Sequence, residues 1–179
     1  MSRGHLYLED GTYLPAESFG AEGISGGELV FNTAMTGYQE MLTDPSYYGQ
    51  ILMLTYPMIG SYGVNAEDTE SRKIFSAGMV VGDYVEAHSN FRATQSLGHY
   101  LSSQGIVGIH QVDTRYLTRK IREKGAMRAV IAAGDYEEEA LRDRLASQPS
   151  MEGSNLVNLV CAKERYEWRG GGGSDGPPV

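Results

Sequence analysis

A chain of 179 residues, 41% of them hydrophobic, is long enough to bury one ordinary core and too short for two large ones. Its 23 acidic residues against 15 basic ones leave a formal charge of −8, a surface that repels phosphate backbones and argues against a nucleic-acid partner. No apolar run approaches the about 20 residues a membrane helix needs, the opening MSRGHLYLEDG lacks the apolar core of a secretory signal, and one cysteine, Cys161, excludes an intrachain disulfide and fits a reducing cytoplasm. The expectation is a cytoplasmic protein with neither a nucleic-acid nor a membrane partner.

Taken in order, Leu6 and Leu8 alternate with His5, Tyr7 and Glu9, the period of a half-buried strand. Asp10-Gly11 is a hairpin signal, and Tyr13 and Leu14 begin the return strand. Gly23, Gly26 and Gly27 read as turn residues introducing a strand over 28–32; no Gly-Lys-Ser/Thr follows them, so they are no phosphate loop. Residues 36–42 suit a short helical turn, which Asp44-Pro45-Ser46 breaks because proline fixes its own φ and restricts the residue before it. Residues 50–56, QILMLTY, form a short apolar run of the kind found in buried strands.

After a polar loop at 65–72, residues 77–81 read as another buried strand, with Tyr84-Val85 continuing it or pairing nearby. Leu97, Tyr100 and Leu101 then fall at helical spacing, and that helix stops at Gly105. A strand at 106–109 leads to a helix capped by Asp113 and stopped by Gly125, with Arg122 and Lys124 in its last turn. A strand at 129–132 precedes a final helix beginning at Asp135, with Glu138 at the capping-box position. Residues 157–160 suit a last extended segment, and GGGGSDGPPV from Gly170 reads as a flexible tail or linker. Strands dominate the first half and helices alternate with strands in the second, so the fold class is α/β, an antiparallel sheet packed on a sheet covered by helices.

Little of this is overt chemistry. His5, His88, His99 and His110 show no metal-ligand spacing. Cys161 has no neighbouring base, and Glu164 disfavours its thiolate, so it reads as an incidental thiol. The run 113–125 carries five basic residues; it reads as a solvated helix face with cations near the negative helix end, the alternative being attraction of an acidic partner. The loop 43–48, TDPSYY, is either plain turn architecture or a device that presents the Ser46 hydroxyl to a polar ligand.

Several long stretches decide more than these local patterns. FNTAMTGYQEMLTDPSYYGQI at 31–51 and LTYPMIGSYGVN at 54–65, with LEDGT at 8–12, SNFR at 89–92, VDTRYLTRKIREKGAMRAVI at 112–131 and AAGD at 132–135, closely resemble the N-terminal domain of the small, glutamine-hydrolysing subunit of carbamoyl-phosphate synthetase. The resemblance implies a three-layer β/β/α domain of the swivelling type over 1–150, with 151–179 an extended segment and Gly-rich linker toward a glutamine amidotransferase domain outside this sequence. It implies a ligase in which the small subunit hydrolyses glutamine and passes ammonia to a large subunit. That partner uses ATP, with Mg, and bicarbonate to make carbamoyl phosphate for pyrimidine and arginine synthesis.

By the same resemblance, the N-terminal domain docks the large subunit, and Ser46 reaches across the domain boundary to hydrogen-bond glutamine as a positioning group. No catalytic residue, no metal and no cofactor is expected in this chain. After Trp168 neither a nucleophile elbow nor a His-x-Glu pair follows, so the chain alone is expected to be inactive as a glutaminase. The competing expectations are a stand-alone, non-catalytic interaction module and a swivelling carrier phosphorylated on histidine, for which no histidine has a distinctive setting.

Overall fold

Alternation along two strands shows how the core divides. In β4 (Gln50–Leu54), Ile51 and Met53 join one apolar cluster while Leu52 and Leu54 join a second. In β9 (Met127–Ala133), Ala129 and Ile131 join the first cluster while Val130 and Ala132 join a third. Both faces of this sheet are therefore apolar, one turned into a closed interior and the other covered by helices. These are the relations of a computed structural model that describes residues 2–149, 153, 155–162 and 164–165.

The closed element is a barrel of seven strands. β1 (Arg3–Leu8) and β2 (Tyr13–Ser18) form the expected hairpin, with Leu6 opposite Leu14. β1 also pairs antiparallel with β9, and β9 with β3 (Gly23–Asn32). From β3 the directions change: β3, β4, β6 (Gly78–Val80) and β8 (Val107–His110) run parallel to one another in that order, and β8 closes back onto β2 antiparallel. A separate two-stranded ladder joins β5 (Met58–Ile59) to β7 (Asp83–Tyr84), which gives Tyr84 its nearby partner.

Three helices cover the outside, and a fourth packs on the interior cluster. α1 (Tyr38–Thr43) and α2 (Leu97–Ser103) share the cluster of Leu42, Leu52, Leu54, Met79 and Leu101. Ser96 caps α2 through the His99 N–H, and Gly105 leaves it at φ 69°. In α3 (Thr114–Lys124), Asp113 accepts from the Tyr116 N–H at 2.8 Å as expected, and Leu117 and Ile121 join the interior cluster with Leu6 and Leu8. α4 (Glu138–Ala146) lays Leu141 and Leu145 over Val130 and Ala132.

The α/β class holds, but four expectations change. In place of an antiparallel sheet packed on a second sheet, seven strands belong to a single closed sheet with both parallel and antiparallel pairs, and β5 and β7 form a small ladder apart from it. Gly23, Gly26 and Gly27 lie within β3 rather than in a turn before it. A Cβ at Gly27 would stand 2.5 Å from the Gly49 carbonyl oxygen, so the residue is small because β4 approaches closely. The last long helix begins at Glu138, not Asp135, and neither Asp135 nor Glu137 caps it. Gly134 explains the delay: its N–H donates to the Arg3 carbonyl at 2.8 Å and its carbonyl accepts from His5 at 3.0 Å, tying the chain to β1 beyond the end of β9. Residues Val157–Val160 form the one-turn helix α5, closed by a bond from Cys161 N–H to the Val157 carbonyl at 2.9 Å, rather than an extended segment. The closed barrel has no free edge for another strand to join. The Gly-rich tail from 170 lies outside the described residues.

Candidate functional site

Ser46 stands in a 3-10 turn, Pro45–Tyr47, wedged between α1 and β4. Asp44 makes the junction. It is the C-cap of α1 in an extended conformation and the N-cap of the next turn, where its carboxylate accepts from the Ser46 N–H at 2.8 Å. Pro45 then occupies the first helical position, where a missing N–H costs nothing. The Ser46 backbone is thus pinned while its side chain is exposed, and its hydroxyl has no hydrogen-bond partner among the described residues.

The support beneath this turn is polar and ordered. Asn32, at the end of β3, donates from Nδ2 to the Tyr47 hydroxyl at 2.9 Å. α1 has no side-chain cap of its own, yet the Tyr62 hydroxyl accepts from the Gly37 N–H at 2.7 Å and the Tyr38 N–H at 3.2 Å. The Tyr38 and Tyr62 rings stack at 4.2 Å, and the Tyr38 hydroxyl donates to the Gly63 carbonyl at 2.5 Å. Burial pushes both phenols above their ordinary pKa, so both hydroxyls stay protonated, Tyr38 as donor to Gly63 and Tyr62 as acceptor from the helix start. Gln39 exchanges two bonds with the Asn65 backbone, at 2.5 and 2.9 Å, and Thr43 Oγ1 accepts from the Glu70 N–H at 3.0 Å. The loop after β5 therefore acts as a brace for α1 and, through Asp44, for Ser46.

Beside the turn lies a cavity of about 430 Å³ lined by Asn32, Glu40, Met41, Asp44, Tyr47 and Glu70 among others. Three carboxylates give it an acidic wall suited to N–H donors. The sequence points to Ser46 but not to Asn32, Glu40 or Glu70, which the fold brings from three separate stretches. Asn32 at the end of an apolar strand was the one local signal.

Other candidates are dispersed. His5 is buried and bonded to the Tyr13 hydroxyl at 2.8 Å and to the Gly134 carbonyl. His110 is buried beside Phe19 and Tyr84, and burial holds its pKa below the ordinary histidine value against the pull of Glu17 and Asp83. Cys161 is exposed after α5. Among the described residues no group of three His, Cys, Asp or Glu side chains could hold a metal ion, and no helix is long and apolar enough to cross a membrane.

The class these features define is a mixed α/β barrel domain that presents a braced hydroxyl turn. Comparison with known proteins gives the family. The family model described as carbamoyl-phosphate synthase small chain, CPSase domain, matches residues 6–131, and the chain belongs to that family. It is 54% identical over 167 residues to a protein of Vibrio cholerae named carbamoyl phosphate synthase small chain, covering 93% of this chain and 44% of that protein. Proteins of the same name from Aquifex aeolicus, 51% identical over 166 residues, and Thermotoga maritima, 55% over 159, are covered to 45% and 41% of their lengths by 93% and 89% of this chain. The chain thus spans less than half the length of these relatives.

Proposed function

We propose that this chain works as the N-terminal part of the small subunit of glutamine-dependent carbamoyl-phosphate synthase, docking a large subunit and completing the glutamine site. The observation that carries the reading is the family match over 6–131, which contains the whole Ser46 turn and its supports at Asn32, Tyr47 and Tyr62. The complete enzyme would make carbamoyl phosphate from glutamine, bicarbonate and ATP in the cytoplasm, for pyrimidine and arginine synthesis, with ATP and Mg held by the large subunit. A glutamine amidotransferase domain would supply the hydrolytic residues. In the three-layer swivelling description of such domains, opposite walls of the barrel stand for the two β layers and the helices for the third.

Ser46 would then position glutamine rather than attack it. A hydroxyl with a fixed backbone and a free proton can donate to a carbonyl or accept from an amide, whereas a nucleophilic serine needs a base beside it. The test joins the chain to a glutamine-hydrolysing domain, co-purifies it with the large chain and compares Ser46 with Ser46→Ala. Losing one such contact, at about 1 kcal/mol, raises KM for glutamine about fivefold with kcat little changed. An unchanged KM would remove Ser46 from the site. Glutamine hydrolysis by the chain alone would overturn the division of labour.

A further inference from the structure

Helix α3 carries its positive charge on two different footings. Lys120 and Lys124 both pair with Asp10, at 2.7 and 3.0 Å. Arg115, Arg119 and Arg122 are exposed, and among the described residues none of them has a carboxylate in ion-pair contact, although Arg92, Arg128 and Arg142 all do. The spacing of four and then three places these guanidiniums in one stripe, where like charges repel. Such a stripe in a chain of net charge −8 is a local inversion of the surface field.

The stripe forms one wall of a groove of about 330 Å³. Thr33 and Thr55 form the other, at the C-terminal ends of the parallel neighbours β3 and β4. The Thr118 hydroxyl spends its proton on the Thr114 carbonyl at 2.7 Å, while those of Thr33 and Thr55 have no partner among the described residues. Exposed apolar side chains continue from the same strand ends: Met35 at 68% exposure, Tyr56 at 39% and Met58 at 54%.

We propose that this groove receives an acidic segment of a partner polypeptide, whose carboxylates pair with Arg115, Arg119 and Arg122 while Met35, Tyr56 and Met58 anchor its apolar residues. Arginine, tyrosine and methionine are the residues enriched in protein interfaces, and the arginine fork pairs bidentately with carboxylates. A small oxyanion fits less well, because the three guanidiniums stand in solvent without a buried donor to complete a cage. The inference rests on the docking reading above and adds where the partner sits and by what chemistry. Thr33 follows directly on Asn32, which braces the Ser46 turn, so the docking groove and the ligand turn share one strand end.

The experiment measures affinity of the chain for the large chain of carbamoyl phosphate synthase from the same source, across a salt series. The variants are wild type, the triple Arg115→Glu/Arg119→Glu/Arg122→Glu, the same triple to Gln, and a control reversal outside the groove, Arg3→Glu. The expected result is at least tenfold weaker binding by the Glu triple, a smaller loss and a flatter salt dependence for the Gln triple, and no change for Arg3→Glu. The Gln triple keeps the test decisive if the Glu triple does not fold. Wild-type affinity in a folded triple overturns the groove and leaves docking standing. Absence of binding by the wild type overturns both. Tripolyphosphate bound by wild type and lost in the triples, with large-chain affinity unchanged, reassigns the stripe to a small oxyanion and overturns the proposal.

Discussion

Asn32 donates its side-chain N–H to the Tyr47 hydroxyl at 2.9 Å, joining the end of β3 to the turn that carries Ser46. The bond is half-buried and links residues fifteen apart. Tyr47→Phe keeps the ring and removes the acceptor, leaving Asn32 to find water. A loss of about 1 kcal/mol in stability is expected from urea unfolding. If the turn positions glutamine, the same variant raises KM for glutamine in the completed enzyme without lowering kcat. A stability and KM equal to wild type would show that the bond does not hold the turn.

Tyr62 does for α1 what a cap residue does in most helices. Gly37 has no side chain to offer, and the Tyr62 hydroxyl takes the Gly37 and Tyr38 N–H groups instead. Tyr62→Phe preserves the stack on Tyr38 and deletes the acceptor, so two donors at the helix start lose their partner. The expected cost is about 1–2 kcal/mol, at the upper end of cap deletions because two N–H groups are affected. Hydrogen exchange at residues 38–42 should speed up more than exchange in β4. Uniform change across the chain would instead mean a general loss of packing.

Most elements were legible because their signals are local. Asp113 and Gly105 mark helix ends through contacts within three or four residues, and Leu6 and Leu8 alternate within one strand. What the sequence hid depends on partners far along the chain. Gly27 reads as a turn residue because the Gly49 carbonyl, which leaves no room for a Cβ there, is 22 residues away, whereas at Gly23 it is a φ of +135° that favours glycine. Asp135 carried a capping-box pattern, but the bonds of Gly134 to Arg3 and His5 override it. Barrel closure between β2 and β8 is likewise a pairing of distant residues with no local mark. For the site, family resemblance pointed to Ser46, whereas the cap supplied by Tyr62 had no sequence signature at all.

Asp10 gives stability a defined pH dependence. Partial burial opposes its charge, but bonds from Lys120, Thr12 and Lys124 outweigh that and hold its carboxyl well below the usual range. A carboxylate whose folded pKa lies below its unfolded value stabilises the fold at every pH above the unfolded value. That contribution is lost as pH falls through the window below about 4. Asp10→Asn removes it at all pH values, so the variant is less stable than wild type at pH 7 and the gap narrows toward pH 2. Urea unfolding at several pH values between those limits measures the gap. A gap that stays constant with pH would mean that the lysines do not depress this carboxyl.

Gly27 tests whether close approach of two strands, rather than a turn, explains the glycines of β3. A Cβ there would lie 2.5 Å from the Gly49 carbonyl oxygen and 3.2 Å from the Ile51 nitrogen, both backbone atoms of the segment that starts β4. Neither can rotate away, so Gly27→Ala must push β3 and β4 apart where Glu28 meets Gln50. A cost of about 2 kcal/mol or more is expected, in the range of overpacked cores. Gly11→Ala is the comparison, since its Cβ meets nothing within 4 Å and only its φ of +83° opposes the change. That should cost about 1 kcal/mol, the price of a side chain in a left-handed turn. Thermal unfolding of the two variants ranks them directly. If Gly27→Ala melts with wild type while Gly11→Ala does not, the backbone conformation and not the approach of β4 is what selects glycine in this chain.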